Sequence, residues 1–392
     1  MSEEQRKAIL NKVKEGTLTI DEALVLLESE HRSEKQQQEP SFQEKPFDEP
    51  VKPKAADAPK EADSPKEEER FLSPHVHIVE DEDEPRSHHS SKKMRWSDYF
   101  GEAVGKIRNL DLDLNFGSYE EVHHTFLYHD TALHEFDVYL YNGDFEVVPT
   151  TSDEVRIECH ARVYNVTYKE QAKQQFMKQT RVDFEDGRFT FRLEEKTIKA
   201  DCKVYIPSHK LDRISIKLFN GALKGNNIAS KTAYFKSTNG GISQTQMAFD
   251  NVEVETVNGH IHMEGQSDSI DLETVNGTIL ARGAFQRVVS SSFHGNISVA
   301  LENEAEHLKI NTTSGSIDIR LPEHVAVTGK LHSTFGDLNV NLPEVRVLED
   351  VKEVVKKRLA FEKGNSPTPM LLVATARTGG VTVHTIDKER TV

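Results

Sequence analysis

The stretch TVNGHIHMEGQSDSIDLETVNGTIL, residues 256–280, contains the tetrapeptide Thr-Val-Asn-Gly twice, eighteen residues apart. The same spacing extends in both directions, because glycines recur every 18 to 21 residues, at Gly221, Gly240, Gly259, Gly277, Gly295, Gly315 and Gly336. Leu or Ile stands two positions after each glycine, and in six consecutive copies, from Ser237 to Ser333, a hydroxyl residue stands three positions before it. A period this constant indicates a repeat architecture.

Each repeat is typical of two short strands and two turns, with about five residues per strand. Two folds satisfy this pattern. In a β-meander, Asn-Gly makes hairpin turns, whereas in a β-solenoid it makes the corner of a coil and equivalent positions stack in ladders. A hairpin turn needs no periodic hydroxyl, but a Ser/Thr ladder can hydrogen-bond from rung to rung. We therefore expect a mainly β fold, a repeat β-solenoid or β-helix-like domain with capping helices, in which the seven glycines are structural repeat corners.

Composition divides the chain into four parts. Residues 1–30 are predicted to form a small α-helical hairpin, 31–90 a disordered acidic and Pro-rich linker, 91–118 an amphipathic cap segment, and 119–392 the β-strand-repeat domain. In the hairpin, Ile20, Leu24 and Leu27 share one stripe of the second helix. Thirty residues bury too little surface to fold alone, so we expect this stripe to dock against a partner, another copy, or the rest of the chain.

The segment 91–118 combines basic and aromatic residues, among them Lys92, Lys93, Arg95, Trp96 and Phe100. Such a segment can lie on an anionic membrane surface. It can also be a cap helix that covers the open end of the following β-domain. We favour the cap, because apolar stripes at helical spacing more often belong to a core. The five residues are nevertheless our candidates for a membrane or partner contact.

Two helices are expected inside the β-domain. Thr167 and Glu170 predict a capping box for a short helix lined by Tyr168, Ala172 and Phe176. Between Gly336 and Gly379 the sequence predicts a second helix, from about residue 348 to residue 361, which would cap or buttress the stack.

The chain shows no catalytic or metal-binding motif of known spacing. Its strand carboxylates, Asp250, Asp268, Asp271 and Glu273, include pairs that alternate with apolar residues as on a solvent-facing surface, so a carbohydrate-active β-helix enzyme is the weaker hypothesis. Strand alternation places two neighbouring histidines, His123 and His124, on opposite faces, and neither they nor His129 and His134 predict a metal site. The histidines of the linker, at positions 75, 77, 88 and 89, lack rigid surroundings. We predict no enzyme activity, cofactor or metal site. The two cysteines, Cys159 and Cys202, lack a CxxC spacing, and whether they pair is open.

The formal charge of −16 argues against nucleic acid as a partner. No apolar run reaches the roughly eighteen residues that would span a bilayer, and the N-terminus carries no signal-peptide pattern. These features lead us to expect a cytoplasmic or membrane-peripheral location.

The TVNGxI repeat resembles a bacterial family of β-strand-repeat proteins of unknown function known as "putative adhesins". The hairpin sequence EEQRKAILNKVKEGTLTIDEALVLLES resembles the short N-terminal helical domain that accompanies this repeat in daptomycin-sensing surface proteins of Gram-positive bacteria. This resemblance implies a β-helical repeat fold and a non-enzymatic binding or regulatory role in the envelope-stress response. The implied partners are envelope-stress or membrane proteins, the membrane surface or an antimicrobial peptide, with self-association as a further expectation. It also makes the cell surface an alternative location. A cytoplasmic membrane-peripheral scaffold is the alternative function.

Overall fold

The structure, a computed structural model, describes residues 117–129, 132–353 and 355–386. The predicted hairpin with Ile20, Leu24 and Leu27, the linker, and the predicted contact residues of the amphipathic segment, Lys92 to Phe100, lie outside the described residues. The described residues form the β-domain.

Parallel strand pairing decides between the two folds considered for the repeat. The strands that follow consecutive corner glycines pair in parallel, with Ile242 opposite Ile261, Ile261 opposite Ile279, and Ile279 opposite Ile297. A meander would pair neighbouring strands antiparallel. The repeat is therefore a β-solenoid, as predicted, in which each coil stacks on the one before it.

The coils flatten into two facing sheets. The first sheet contains, in spatial order, β1 (Tyr119–Tyr128), β4 (Val155–Tyr164), β7 (Ile198–Pro207), β3 (Phe145–Thr150), β9 (Leu223–Asn226), the first parts of β11 (Ile242–Asn258), β12 (Ile261–Asn276) and β13 (Ile279–His294), then β14 (Ile297–Leu301), β16 (Ile317–Leu321), β22 (Val381–Thr385) and β18 (Leu338–Asn341).

The second sheet faces the first across the core. It contains, in spatial order, β5 (Thr180–Glu185), β6 (Arg188–Leu193), β2 (Glu135–Asn142), β8 (Leu211–Asn220), β10 (Ala229–Asn239), the second parts of β11, β12 and β13, then β15 (His307–Ser314), β21 (Met370–Ala376), β17 (Val327–Ser333), β20 (Lys357–Lys363) and β19 (Val345–Lys352). β11, β12 and β13 run without interruption from one sheet into the other, so the predicted five-residue strands are merged there into strands of 16 or 17 residues.

The corner glycines form a ladder along one edge of the solenoid. A Cβ atom placed on Gly259 would stand 2.1 Å from the carbonyl oxygen of Gly240, and one on Gly277 would stand 1.8 Å from that of Gly259. Each coil therefore approaches its neighbour too closely for any side chain at this position. The predicted corner residues Gly221, Gly240, Gly259, Gly277, Gly295, Gly315 and Gly336 all occupy this ladder.

Two polar ladders run beside the glycines. The buried hydroxyls do bond from rung to rung, but they donate to the glycine carbonyl of the neighbouring coil rather than to one another: Thr256 donates to Gly240 at 3.0 Å and Thr274 to Gly259 at 3.1 Å. The asparagine side chains form a chain of amide hydrogen bonds, from Asn276 through Asn258, Asn239 and Asn220 to Asn142, with distances of 2.7 to 2.9 Å. These bonds satisfy corner groups that would otherwise be left without partners in a turn.

Between the sheets lies a continuous apolar core. Val, Ile and Leu dominate the solenoid, and at the N-terminal end several phenylalanines are fully buried, among them Phe136, Phe189 and Phe191. Phe136 stacks on Phe189 with ring centroids 5.5 Å apart. Inward apolar residues alternate with outward polar residues along each strand. The polar side chains that could contact a ligand therefore lie on the two outer faces of the solenoid.

The predicted helix after Thr167 is present as α1 (Lys169–Gln179), and its buried residues are Ala172 and Phe176. The predicted capping box is wrong. Tyr168 is the N-cap residue and makes no side-chain cap, while the Thr167 N–H donates to the side chain of Gln171 at 3.3 Å. Tyr168 itself is 57% exposed, so it does not belong to the buried stripe.

The helix predicted from about residue 348 to residue 361 is wrong. This segment contains β19 and β20, which pair antiparallel with each other, and β20 also pairs with β17. Leu359 and Phe361 alternate inward with period two, whereas Leu348 and Val355 are exposed. Pairing on both sides of β20 outweighs the weak helical spacing, because strand formation depends on context more than on local propensity.

Candidate functional site

A shallow groove lies on the outer face of the first sheet, where β1, β4, β7 and β3 run side by side. Its volume is about 660 Å³. Strand register places one row of polar side chains across it. His123 lies opposite His160, and His160 lies opposite Asp201. Asp144 continues the row beside Asp201, because the residues that follow them, Phe145 and Cys202, lie opposite each other. We call this row and the charged row beside it the terminal groove.

The two histidines of the terminal groove are in direct contact. Their rings stack with centroids 4.2 Å apart and an angle of 18° between the planes. Glu121 precedes His123 by two positions and lies on the same face, and its Oε1 is 3.8 Å from Nε2 of His160. That distance exceeds a hydrogen bond, and Nε2 of His160 is shielded from solvent without a hydrogen-bond partner among the described residues.

The second row of the terminal groove carries both signs of charge. It contains Glu158, Lys203, Glu146 and Lys224, contributed by β4, β7, β3 and β9. The Lys203 ammonium stands 3.3 Å from the carboxylate of Glu146, and this pairing raises the pKa of Lys203. Carboxylates and amines at close spacing favour a polar ligand that itself carries charges of both signs.

Backbone contacts hold the aspartates of the terminal groove. Asp201 Oδ1 accepts a hydrogen bond from the N–H of Asp144 at 3.0 Å, and Asp144 Oδ1 accepts one from the N–H of Ala222 at 2.8 Å. These bonds tie three strands together at the corner. The groove floor is therefore rigid before any ligand arrives.

Apolar packing lies directly beneath the groove. His124 points inward against Phe126 and Phe176, and burial lowers its pKa. Cys159 and Cys202 stand opposite each other on β4 and β7 as free thiols, with the sulfurs 3.3 Å apart. Their mutual hydrogen bond and burial raise the pKa of Cys202 well above its usual value, so the thiol stays protonated.

A second polar surface lies on the outer face of the second sheet. Glu253 stands opposite Asp271, and Glu255 opposite Glu273, on neighbouring parallel strands. Lys236 pairs with Glu255 at 2.6 Å. Burial, followed by the charges of Glu255 and Asp271, raises the pKa of Glu273 to about 7. We call these four carboxylates the acidic patch.

The structure brings few of the residues considered from sequence together. Asp271 and Glu273 meet in the acidic patch, whereas Asp250 pairs with Lys210 at 2.5 Å and Asp268 is exposed elsewhere. His123 and His124 do point to opposite faces, as predicted, because one is exposed and the other packs inward.

His129 and His134 remain apart from the terminal groove. His129 lies 3.7 Å from Glu154, and His134 lies 3.9 Å from Asp212.

The sequence did not predict that His160, Asp201 and Asp144 would lie in one row with His123. The alternation of ECHARV predicts that His160 points outward, but only the antiparallel pairing of β1 with β4 places it beside His123. That pairing joins strands about forty residues apart and leaves no local signal in the sequence.

Among the described residues, no helix is both long and apolar enough to cross a membrane.

Several known proteins are similar to this chain. The chain is 31% identical over 366 residues to the uncharacterized protein YvlB of Bacillus subtilis, a match that covers 91% of this chain and 92% of that protein. A "putative adhesin" of Bacteroides fragilis aligns over 69% of this chain and 98% of its own, with 13% identity and a TM-score of 0.37. A "putative lipid binding protein" of Parabacteroides distasonis aligns over 68% of this chain and 97% of its own, with 10% identity and a TM-score of 0.37. Residues 133–369 match the family described as Toastrack DUF4097, and this chain belongs to that family.

Proposed function

We propose that the protein is a non-enzymatic binding protein of the bacterial cell-envelope stress response, and that its β-domain recognises a polar envelope component through the terminal groove. The observation that carries this proposal is the groove itself, in which carboxylates, amines and imidazoles from several strands converge on a preformed surface. A rigid surface loses little entropy on binding, which favours recognition.

The groove favours binding over catalysis because its carboxylates are already engaged. Asp201 and Asp144 accept backbone hydrogen bonds, and Glu146 is paired with Lys203. A general acid or base needs a carboxyl that is free to exchange a proton with the substrate. Hydrolysis of a glycosidic bond further requires two carboxyls that face each other across the substrate, and these side chains stand side by side on one flat sheet.

Co-sedimentation with insoluble cell-wall sacculi from a Gram-positive bacterium tests the proposal. We expect the full-length protein to sediment with sacculi, and Lys203→Glu combined with Lys224→Glu to weaken the retention severalfold by reversing both positive charges of the groove. Lys330→Glu, an exposed change on the second sheet, is the matched control and should retain normal binding. Equal sedimentation of all three proteins would exclude the groove as the binding surface.

The acidic patch favours a second ligand class, a cationic antimicrobial peptide. Glu253, Glu255, Asp271 and Glu273 lie within two neighbouring strands, and such a density of negative charge attracts basic peptides from a distance. Fluorescence anisotropy with a labelled cationic amphipathic peptide should show tighter binding to the wild type than to Glu253→Gln/Asp271→Asn. Binding that is the same for both proteins at low salt would remove the patch from consideration.

The membrane-peripheral scaffold is the alternative function, and it depends on the amphipathic segment that precedes the β-domain. Flotation with anionic vesicles should retain the full-length protein, and replacing Trp96, Lys92 and Lys93 should release it. Localisation of the protein with and without envelope stress separates a surface role from a cytoplasmic one.

A further inference from the structure

We propose that Glu121, His123 and His160 form a surface site for a divalent transition-metal ion such as Zn²⁺. Two imidazoles and one carboxylate are ligands that zinc accepts in proteins, and water can complete the coordination. The proposed site rests on the geometry of these three side chains. It does not depend on which ligand the rest of the terminal groove binds.

The three ligands converge because of strand pairing. β1 and β4 are antiparallel with His123 directly opposite His160, and Glu121 projects from the same face two residues earlier. The potential ligand atoms of the three side chains all lie within 4.8 Å of one another. Ligand atoms about 2 Å from a shared zinc ion stand roughly 3.3 Å apart in a tetrahedron. The two rings are stacked, so they must rotate out of the stack to direct one nitrogen each at a shared ion, and the paired strands keep the three side chains within reach of it.

The ring nitrogen of His160 supplies an independent observation. Within the part of the chain that the structure describes, Nε2 of His160 has almost no solvent contact and no hydrogen-bond partner, although the side chain as a whole is 42% exposed. Shielded polar atoms in folded proteins nearly always have a partner. This nitrogen lies 3.8 Å from Oε1 of Glu121, and an ion bound by both atoms would give it a partner.

Other histidine–carboxylate pairs of the described residues provide the contrast. His262 stands 3.9 Å from Glu264, and Nε2–H of His384 donates to Oδ1 of Asp318 at 2.8 Å, but each offers only one histidine and one carboxylate. Within the described residues, Glu121, His123 and His160 are the group that offers three such ligands together. A third protein ligand separates a specific site from an incidental contact, because it fixes the geometry around the ion.

The test is zinc titration by isothermal calorimetry on the full-length chain. The histidines at positions 75, 77, 88 and 89 are first replaced by Ser in every protein compared, because flexible histidines bind zinc weakly by themselves. In this background we expect one equivalent of Zn²⁺ to bind. His160→Gln, His123→Gln and Glu121→Gln should each weaken binding by at least about tenfold, since even the loss of a supporting contact costs roughly 10- to 100-fold.

His262→Gln is the matched control, because it removes a histidine beside a glutamate on an equally exposed strand. It should leave the affinity unchanged, and unchanged thermal unfolding of the metal-free variants should show that all of them fold. The visible spectrum of the Co²⁺-loaded protein provides a second readout, and its intense tetrahedral bands should vanish in His160→Gln. Absence of zinc binding in the background chain overturns the proposal, and so does binding that survives the combined His123→Gln/His160→Gln change.

Discussion

The corner glycines show most directly how single residues determine this fold. At Gly259 the neighbouring coil's carbonyl oxygen occupies the space of a Cβ atom, at 2.1 Å. The backbone carbonyl of Gly240 faces the α-hydrogen of Gly259 at this contact. A backbone carbonyl cannot move away as the end of a flexible side chain could. The whole ladder from Gly143 to Gly336 repeats this contact, which explains why glycine persists in the sequence while the residues around it vary.

Gly259→Ala should therefore destabilise the domain by about 2 to 3 kcal/mol, because the added methyl forces two stacked coils apart. The matched control is Gly117→Ala, where the added Cβ meets its nearest atom at 3.8 Å and should cost much less. Urea unfolding of both variants measures the difference. Equal midpoints for the two variants would show that the coil can widen without cost.

Glu273 predicts a dependence of stability on pH. Its pKa is raised from 4.5 to about 7 in the folded protein by burial and by the nearby Glu255 and Asp271. Between these two values the folded state keeps a proton that the unfolded state has released, so the free energy of unfolding falls as pH rises across this window. The loss continues as pH rises through about 7 and stays constant only well above that value.

Glu273→Gln removes this ionisation and should stabilise the protein at pH 8 by about 1 kcal/mol, after allowance for solvent screening. At pH 4.5 the variant and the wild type should be closer in stability, because the carboxyl is then largely protonated. Thermal unfolding at the two pH values provides the measurement, with the exposed Glu304→Gln as control. A gain that is the same at both pH values would contradict the assigned cause.

At the scale of elements, the sequence predicts where most strands of the repeat lie, but it does not predict which distant strands pair with each other. In the [ST]-x-x-G-x-[IL] unit, the glycine lies at the corner, the Ile or Leu points inward, and the Ser or Thr hydroxyl is buried beside the corner. The structure places all three residue types at these positions. The helix predicted from Leu348 to Phe361 rests on four apolar residues that fit a helical face, whereas in the structure β20 of this segment pairs with β17 on one side and with β19 on the other. The terminal groove was missed for the same reason, since its rows exist only once β1, β4 and β7 pair.

The hydroxyl ladder contributes to the stability of each coil. The buried Thr274 hydroxyl donates to the carbonyl of Gly259 at 3.1 Å, and Thr274→Val keeps the shape of the side chain but removes the donor. We expect a loss of about 1 kcal/mol, the usual net value of a buried hydrogen bond. Thr125→Val, on the exposed face of β1, should change little. Chemical denaturation compares the two, and a neutral Thr274→Val would mean that water replaces the lost bond.

At the scale of the whole molecule, the order of coils in space differs from their order in the chain at both ends. The coil of β2 and β3 lies between that of β6 and β7 and that of β8 and β9. The coil of β21 and β22 is inserted between that of β15 and β16 and that of β17 and β18. The ladder contacts agree, because a Cβ on Gly379 would meet Gly315 and one on Gly336 would meet Gly379. A repeat period measured along the sequence cannot reveal such insertions, because it assumes that neighbours in sequence are neighbours in space.

The inserted coil is expected to hold the C-terminal end of the solenoid together. In a chain that ends at Gly364, β15 loses its partner β21 and β18 loses its partner β22. Unpaired edge strands exchange their amide hydrogens rapidly, so protection across β18, residues 338–341, should fall to that of a locally unfolded segment, whereas β17 still pairs with β20. The coils from β8 to β13 keep their partners and should remain protected. Hydrogen exchange followed by mass spectrometry measures this difference, with a chain that ends at Ile386 as the control. Adding a synthetic peptide of residues 365–386 should restore protection by refilling the gap, and full protection of residues 338–341 without the peptide would show that β18 pairs directly with β16.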